Sequence, residues 1–417
     1  MSELFTPFKL GPIELRNRTI RSAAFENMCP GNKPGAILKD YHVSVARGGV
    51  GMTTVAYCAV DQSGVSFDGQ LYIREEIKPA LKDLTDAVHA EGAKASIQLG
   101  HCGNMTHFYT CGYRMPVGAS TGINIYSPTL VRGLRKDEIK LIVKHFGEAV
   151  DFCRECGFDC VEIHAGHGYL ISQFLSPYTN HRKDEYGGSL ESRMRMMNEV
   201  LDEVMAHAGD DMAVVVKTNM FDGFKGGLQE EDCLKVAKAI ERHGVHAIVL
   251  SAGFVSKAPM VILGGAMPLR TLAHYMNPWK FWWLKAGLAM AGRALIPTVP
   301  YRELYFLESA KRFRKALSLP LIYVGGIQSR AGCETVLSEG FELIQMAHVL
   351  VNDPAFVAKM KEAGPDYRSA CLRSNYCVGR MYTLEMKCHH CVGADMPCSL
   401  RKEIEAAEAD NAKRMGV

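Results

Sequence analysis

The sequence predicts an α/β fold, a (β/α)8 TIM barrel with a long insertion between strands six and seven and a cysteine-rich C-terminal tail. Eight short apolar runs recur along the chain, segments of helical period separate several of them, and no G-x-G-x-x-G motif follows the first run. Near-continuous apolar runs are typical of strands buried on both faces, and their alternation with helices favours a parallel barrel. An open doubly wound sheet is the structural alternative, but a dinucleotide-binding sheet would carry the missing glycine motif.

The predicted barrel strands share β-branched or otherwise apolar side chains and end in polar or glycine residues. They are Thr19–Ala24, Val50–Val60, Lys94–Gly100, Cys160–Ala165, Met212–Asn219, Ala247–Ala252, Leu321–Gly326 and Glu342–His348.

The predicted helices have apolar residues spaced three and four apart, which is the pattern of a helix with one buried face. They are Ile77–Glu91, Lys136–Cys156, Ser192–Ala208 and Glu230–His243. Gly92, Gly157 and Gly244 directly follow three of these segments. A left-handed residue commonly ends a helix and is usually glycine, so these positions support the predicted boundaries.

We expect one barrel domain over residues 1–355, which includes the insertion at residues 254–318, and a cysteine-rich extension over residues 356–417. The insertion contains Trp279, Trp282 and Trp283 and many Met and Leu residues. Such a surface suits a lid over a large apolar substrate. Packing on the barrel or on a second subunit is the alternative, and we expect a homo-oligomer. Residues 281–299 also have the composition of a segment that contacts a membrane surface.

Composition excludes several classes of function. The formal net charge is +3 and no basic run is present, so nucleic acid is not an expected partner. Residues 1–18 lack a basic start followed by an apolar run, and the most apolar long stretch contains Lys285 and Arg293. We therefore expect a cytoplasmic protein without a transmembrane segment. Nine of the fourteen cysteines are scattered, as is typical of reduced core residues.

The predicted active site lies where the fourth strand ends, because barrel enzymes have their active sites at the C-terminal ends of the strands. His164, His167 and Tyr169 follow one another within six residues there. Two histidines at this spacing suit either a metal ion or two hydrogen bonds to a substrate oxygen that gains negative charge. A tyrosine hydroxyl, whose ordinary pKa is about 10, keeps its proton at neutral pH and can deliver it to substrate.

Gly325 and Gly326 end the seventh predicted strand. Consecutive glycines there let backbone N–H groups approach a phosphate, which such barrels commonly bind at this point.

The motifs resemble the old yellow enzyme family of NADH:flavin oxidoreductases. The resemblance begins at Leu4–Pro7 and Leu15–Arg18, continues at Gln98, and is strongest over residues 161–193. That stretch contains VEIHAGHGYL, QFLSP and NHRKDEYGGS. The likeness covers roughly residues 4–355, and the tail resembles the branch that includes bacterial 2,4-dienoyl-CoA reductase.

The resemblance implies an FMN enzyme that takes a hydride from NADH or NADPH and passes it from flavin N5 to the β-carbon of an α,β-unsaturated carbonyl compound. His164 and His167 would hold the carbonyl oxygen, and Tyr169 would protonate the α-carbon. The remaining implied residues would contact the flavin ring or its phosphate. They are Ser22, Ala23, Ala24, Gln98, Lys217, Gly325, Gly326, Ala347 and His348.

Three positions around the expected flavin site differ from the family pattern. Phe25 stands where many relatives have a flavin-tuning Cys or Thr, Lys217 replaces an arginine, and His348 replaces the phosphate-binding arginine of the eighth strand. Because an imidazole is a weaker phosphate partner than a guanidinium, we expect FMN to be held less tightly than in relatives.

The tail resembles a [4Fe–4S] site from which one ligand is missing. Cys371, Cys377 and Cys388 align with cluster ligands, but Ser374 stands where a fourth cysteine would be. Such clusters normally have four thiolates, so we expect none here. A zinc site that includes Cys391, and free thiols left from a lost cluster, are the two alternatives.

Other functions remain as rivals on the same barrel. A metal hydrolase would need a third ligand, and no carboxylate stands clearly at strand ends five to eight. An amine-oxidising demethylase relative would replace the histidine pair. A flavin-binding redox protein with decayed catalysis would not need His164, His167 or Tyr169.

Overall fold

The computed structural model describes residues 2–112, 114–124, 129–277, 279 and 282–415. Eight parallel strands close into a barrel, because the first strand pairs with both the eighth and the second. The strands, labelled β1 to β8, are Thr19–Arg21, Met52–Ala59, Lys94–Gly100, Cys160–Ala165, Ala213–Asn219, Ala247–Ser251, Leu321–Val324 and Leu343–Met346. The predicted TIM barrel is confirmed, with each of these strands inside its predicted range.

The helices that surround the barrel follow the predicted apolar faces. In chain order, α1 to α6 are Ala36–Arg47, Lys78–Ala90, Lys136–Glu155, Leu170–Leu175, Leu190–Ala208 and Glu230–Arg242. Gly92, Gly157 and Gly244 have φ values of 74°, 80° and 75°, so each ends its helix in the predicted left-handed conformation.

The last part of the segment at residues 254–318 forms a barrel helix. Helices α7 to α10 are Pro259–Leu263, Leu269–Tyr275, Trp282–Leu295 and Leu307–Ala316. Helix α10 packs against α6 and β7 and fills the ordinary place of the helix between β6 and β7. The remaining helices, α11 to α16, are Arg330–Ser338, His348–Asn352, Phe356–Ala363, Tyr376–Arg380, His389–Val392 and Cys398–Met415.

The tail packs on the insertion. Helices α14 and α16 both contact α8, and the hydroxyls of Tyr275 and Tyr376 lie 2.7 Å apart. The insertion and the tail therefore pack together as one unit, on the side of the barrel where β7 and β8 end.

The side chains of the barrel strands form two apolar layers, one outside the barrel and one inside it. Side chains alternate along each strand, so one set packs outward against the helices and the other fills the barrel. At the bottom, a hairpin of strands Phe8–Leu10 and Ile13–Leu15 contributes Leu10 and Leu15 to the interior cluster. The polar residues of the site lie above this closed end.

No helix among the described residues combines the length and apolar character needed to cross a bilayer. Within the insertion, Trp279 and Trp282 are 90% and 68% exposed, while Met260, Met267 and Leu272 are buried beneath α8 and α9. Residues 278, 280 and 281 and the side chain of Trp283, which are part of the predicted lid, lie outside the described set.

Candidate functional site

The pleat of β4 determines which of its side chains face the barrel interior. Cys160 belongs to the interior apolar cluster, whereas Val161 and Ile163 pack outward against the helices. Because successive side chains alternate, Glu162 and His164 follow Cys160 toward the interior. Glu162 is 1% exposed and His164 is 3% exposed. The strand thus carries a carboxylate and, one layer above it, an imidazole.

The turn after β4 brings the second histidine to the same place. His167 and Gly168 have φ values of 58° and 83°, two successive left-handed residues that reverse the chain sharply. A side chain at 168 would collide with the ring of Phe254, which explains why glycine is required there. Asn219, at the end of β5, accepts a hydrogen bond from the His167 N–H at 3.1 Å. Asn219 therefore holds the strained turn in place.

His164, His167 and Tyr169 form one cluster, as the sequence predicts. The ring centroids of His164 and His167 are 5.0 Å apart, and those of His164 and Tyr169 are 4.7 Å apart. Tyr57, from β2, packs against both His164 and Tyr169, with centroid distances of 5.8 and 5.1 Å. Tyr57 is a member of the cluster that sequence reasoning missed.

Both imidazoles are neutral. Burial, assisted by the positive charge of Lys217, holds the pKa of His164 well below its usual range and lowers the pKa of His167 to about 3. The Gly166 N–H donates to His164 Nδ1 at 3.4 Å, so the ring proton of His164 lies on Nε2. His167 Nε2 lies 2.7 Å from the hydroxyl of Ser251. Burial also raises the pKa of Tyr169, so its hydroxyl stays protonated.

A buried polar network lies below the histidines. Lys217 Nζ is 2.7 Å from Glu162 Oε1, and the amide groups of Gln98 and Gln345 each donate to Glu162 at 2.6 Å. The Ser22 hydroxyl donates to Gln345 Oε1 at 3.0 Å and accepts from Lys217 Nζ at 3.3 Å. Three residues predicted to bind cofactor are thus joined by two that were not predicted, Glu162 and Gln345.

A cavity of about 680 Å³ runs from this network to the ends of β7 and β8. It gathers most of the residues predicted to bind cofactor. Those on its wall are Ser22, Ala23, Ala24, Lys217, Gly325, Gly326, Ala347 and His348, together with His167. Gln98, His164 and Tyr169 are not among the described residues of its wall.

The far end of the cavity contains the glycine pair and a tail residue. Gly325 and Gly326 have φ values of 138° and 77°, and side chains there would collide with Phe306 and Tyr305. Arg373, from the cysteine-rich tail, completes the wall beside His348. Sequence reasoning missed Arg373, because only the folded chain brings the tail to the barrel.

His348 is held as a neutral ring. Burial, with the neighbouring positive charge of Arg373, keeps the pKa of His348 well below its usual range. Its Nδ1 accepts from Arg373 Nη1 at 2.5 Å, and its Nε2 donates to Asn375 Oδ1 at 3.2 Å. A neutral imidazole fixed between two tail residues is not a cation that could hold a phosphate.

The ring of Phe25 stacks on Phe67, with centroids 5.0 Å apart and planes 23° apart. Phe67 in turn meets the ring of Tyr382, from the tail, at 5.7 Å. The position that tunes the flavin in relatives is therefore part of an aromatic wall.

The tail cysteines separate into two groups. Cys371, Cys377 and Cys388 line a second cavity, of about 300 Å³, that Ser374 also lines. His389, His390 and Glu408 adjoin it, with ligand atoms within 4.8 Å of one another. Cys391, which the zinc alternative included, is exposed and is not among the described lining residues.

Comparisons with known proteins identify the family of the chain. Residues 3–259 match the NADH:flavin oxidoreductase / NADH oxidase family. The chain is 37% identical over 381 residues to 4,4'-dithiodibutanoate disulfide reductase of Rhodococcus erythropolis. The match covers 91% of this chain and 93% of the relative.

Two solved structures share the fold. The structure of 2-naphthoyl-CoA reductase in complex with 2-naphthoyl-CoA superimposes with a TM-score of 0.78 at 24% identity, over 97% of this chain and 58% of that chain. An old yellow enzyme homologue from Zymomonas mobilis superimposes with a TM-score of 0.69 at 22% identity, over 88% of this chain and 94% of that chain.

Proposed function

Because the chain belongs to the NADH:flavin oxidoreductase / NADH oxidase family, that of old yellow enzyme, we propose that it reduces carbon–carbon double bonds conjugated to a carbonyl group. Membership makes the protein a flavin-dependent oxidoreductase that uses FMN and NAD(P)H. The observation that carries the finer proposal is the cluster of two neutral imidazoles and a protonated phenol, His164, His167 and Tyr169.

The residues that line the cavity of about 680 Å³ suit FMN. Ser22, Ala23 and Ala24 would lie along the ring system, Lys217 near its pyrimidine edge, and the glycine pair at the phosphate. Lys217 is already paired with Glu162, so its charge toward the flavin is partly neutralised. Bound FMN supplies the hydride acceptor and donor that connect NAD(P)H to the alkene.

The two histidines would bind the substrate's carbonyl oxygen. A neutral imidazole donates one hydrogen bond, and His164 presents its Nε2–H while Gly166 occupies Nδ1. As the β-carbon gains a hydride, negative charge develops on the carbonyl oxygen. Donors fixed in a buried site stabilise that charge without reorganisation. Asn219 and Ser251 hold His167 in position for the same oxygen.

Tyr169 would complete the reaction as general acid. Its buried hydroxyl holds a proton throughout the neutral range, and it would deliver that proton to the α-carbon as the hydride reaches the β-carbon. The net change is one hydride from NAD(P)H and one proton from Tyr169 added across the double bond. The complete cluster argues against a redox protein with decayed catalysis, because holding FMN requires none of the three residues.

Disulfide reduction is a second candidate. The Rhodococcus erythropolis relative is named for reduction of 4,4'-dithiodibutanoate, and the match covers more than nine tenths of both chains. A disulfide accepts the same two electrons but needs no proton on carbon. The roles of the histidine pair and of Tyr169 would then differ.

One anaerobic experiment separates the two candidates. The holoprotein is bleached with NADH or with NADPH, and a panel of enones and 4,4'-dithiodibutanoate is then added singly. We expect enones to restore the flavin absorbance faster than the disulfide, with a saturated product. Fast reoxidation by the disulfide alone would replace the ene-reductase proposal with the second candidate.

A further inference from the structure

Arg373 is a buried cation that lacks an acidic partner. Its side chain is 5% exposed, and no carboxylate of the described residues lies within ion-pair distance of it. Its Nε has no hydrogen-bond partner among the described atoms. Nη1 donates to His348 Nδ1 at 2.5 Å, and the guanidinium carbon lies 4.7 Å from the centroid of the Tyr301 ring. These contacts orient the charge without neutralising it.

The tail holds Arg373 at the phosphate end of the large cavity. Its backbone has a φ of 58°, a left-handed conformation that is strained for a residue with a side chain. Asn411, on α16, donates to the carbonyl oxygens of Leu372 and Arg373 at 3.1 and 3.0 Å. The last helix therefore fixes the segment that presents the guanidinium beside Gly325 and Gly326.

A buried charge is costly unless an opposite charge or several hydrogen bonds compensate it. Here the compensation within the described chain comes from the neutral imidazole of His348 and from Tyr301, through both its ring and its hydroxyl. Arg373 and the adjacent glycine turn line the same cavity, which suits an anion with several acceptor oxygens. A guanidinium group is planar and presents parallel N–H donors, which match the oxygens of a phosphate group.

We propose that Arg373 is the phosphate-binding cation of the FMN site and that the C-terminal tail delivers it to the barrel. His348 is then a positioning residue, which accepts from Nη1 and leaves the rest of the guanidinium for the phosphate. The inference rests on FMN binding in the large cavity, as in the proposed function. It replaces the sequence expectation of weak FMN binding, because a guanidinium from the tail occupies the place that β8 leaves without one.

The test compares two ligands that differ only in the phosphate. Apoprotein is titrated with FMN and with riboflavin, and binding is followed by quenching of flavin fluorescence. We expect Arg373→Gln to weaken FMN about 10- to 100-fold, as for the loss of a charged hydrogen-bond partner, and to leave riboflavin unchanged. The affinity of Arg373→Lys for FMN should lie between that of the wild type and that of Arg373→Gln. Inorganic phosphate should compete with FMN, but not with riboflavin, for binding to the wild type. In Arg373→Gln it should no longer compete with FMN.

Arg380→Gln is the matched control, because Arg380 is a largely buried tail arginine that pairs with Glu385 away from the cavity. It should leave the preference for FMN over riboflavin intact. An unchanged preference in Arg373→Gln overturns the proposal. Equal weakening of both flavins also overturns it, since it indicates a general role of the tail. These measurements involve no turnover, so a wild type that binds FMN but reduces no enone would overturn only the proposed function.

The melting temperature of the apoprotein provides a second readout. Removing an unneutralised buried charge should leave this temperature unchanged or raise it, while reducing the gain on adding FMN. A lower apoprotein melting temperature with an undiminished gain from FMN would count against the proposal, because it would make Arg373 a purely structural residue.

Discussion

Lys217 Nζ lies 2.7 Å from Glu162 Oε1 in the barrel interior, with both side chains at most 3% exposed. The two residues lie on the neighbouring strands β4 and β5, where Lys217 is the register partner of His164 and Glu162 lies two positions earlier, opposite Val215. Gln98 and Gln345 donate to the same carboxylate, so three polar side chains converge on Glu162.

Replacement of Glu162 by Gln should therefore destabilise the protein. Removing one partner of a buried ion pair leaves the other charge unpaired, which typically costs about 3–5 kcal/mol. Urea unfolding of the apoprotein measures this free energy. The double variant Glu162→Gln, Lys217→Met removes both charges and should recover part of the loss. A double variant no more stable than Glu162→Gln alone would show that the pair is not the source of the effect.

Replacement of Tyr169 by Phe should slow only the second half-reaction. A positioned general acid contributes about 10²- to 10⁴-fold to a rate, and the phenol is proposed to act after the flavin has been reduced. Stopped-flow measurements should show flavin bleaching by NAD(P)H at the wild-type rate and reoxidation by an enone slowed within that range. Tyr57→Phe is the matched control, because it removes a neighbouring hydroxyl of the same cluster. Equal slowing of both half-reactions would contradict the assigned role.

The histidine pair predicts a distinctive pH dependence of stability. The pKa of His167 is lowered to about 3, whereas an unfolded histidine has a pKa near 6.5. The unfolded state therefore binds more protons below pH 6.5, and stability falls as the pH drops from 6.5 toward 3. Since the ring is partly exposed, we expect His167 to account for about 1–2 kcal/mol of this loss at pH 5.

The measurement is the free energy of unfolding of wild type and His167→Asn between pH 8 and pH 5. As the pH falls to 5, the wild type should lose about 1–2 kcal/mol of stability relative to His167→Asn. A constant difference across the range would mean that His167 takes up its proton over the same pH range in the folded and unfolded states.

Ser374, which stands where a cluster ligand would be, is the reason that we expect no [4Fe–4S] cluster in the tail. It lines the same cavity as Cys371, Cys377 and Cys388, so Ser374→Cys would bring a fourth thiol to that cavity. After anaerobic reconstitution with iron and sulfide, we expect the variant, but not the wild type, to contain acid-labile sulfide and broad visible absorbance beyond that of the flavin. Ser374→Ala is the control. A cluster in the wild type would contradict the expectation.

Local patterns explain why much of the fold was predictable. The strands Lys94–Gly100 and Cys160–Ala165 begin and end where the apolar runs predict, because a strand buried on both faces has few polar positions. The sequence does not mark where, within residues 254–318, the barrel resumes. Helix α10 has a strongly amphipathic pattern of its own, but a long segment of mixed composition precedes it and obscures where the barrel resumes.

The barrel and the cluster of His164, His167 and Tyr169 could be predicted from local sequence patterns. His164, His167 and Tyr169 lie within six residues on one strand end, so the register of a single strand and one turn is enough to bring them together.

Only the tertiary structure decided what surrounds that cluster. Glu162 pairs with Lys217 across two strands, and Arg373 reaches His348 after the chain has left the barrel, passed through the tail and been fixed by α16. Such contacts join residues whose separation in sequence carries no periodic signal. The charge of Arg373 is visible in the sequence, but its burial beside the glycine turn results from packing of the tail on the insertion.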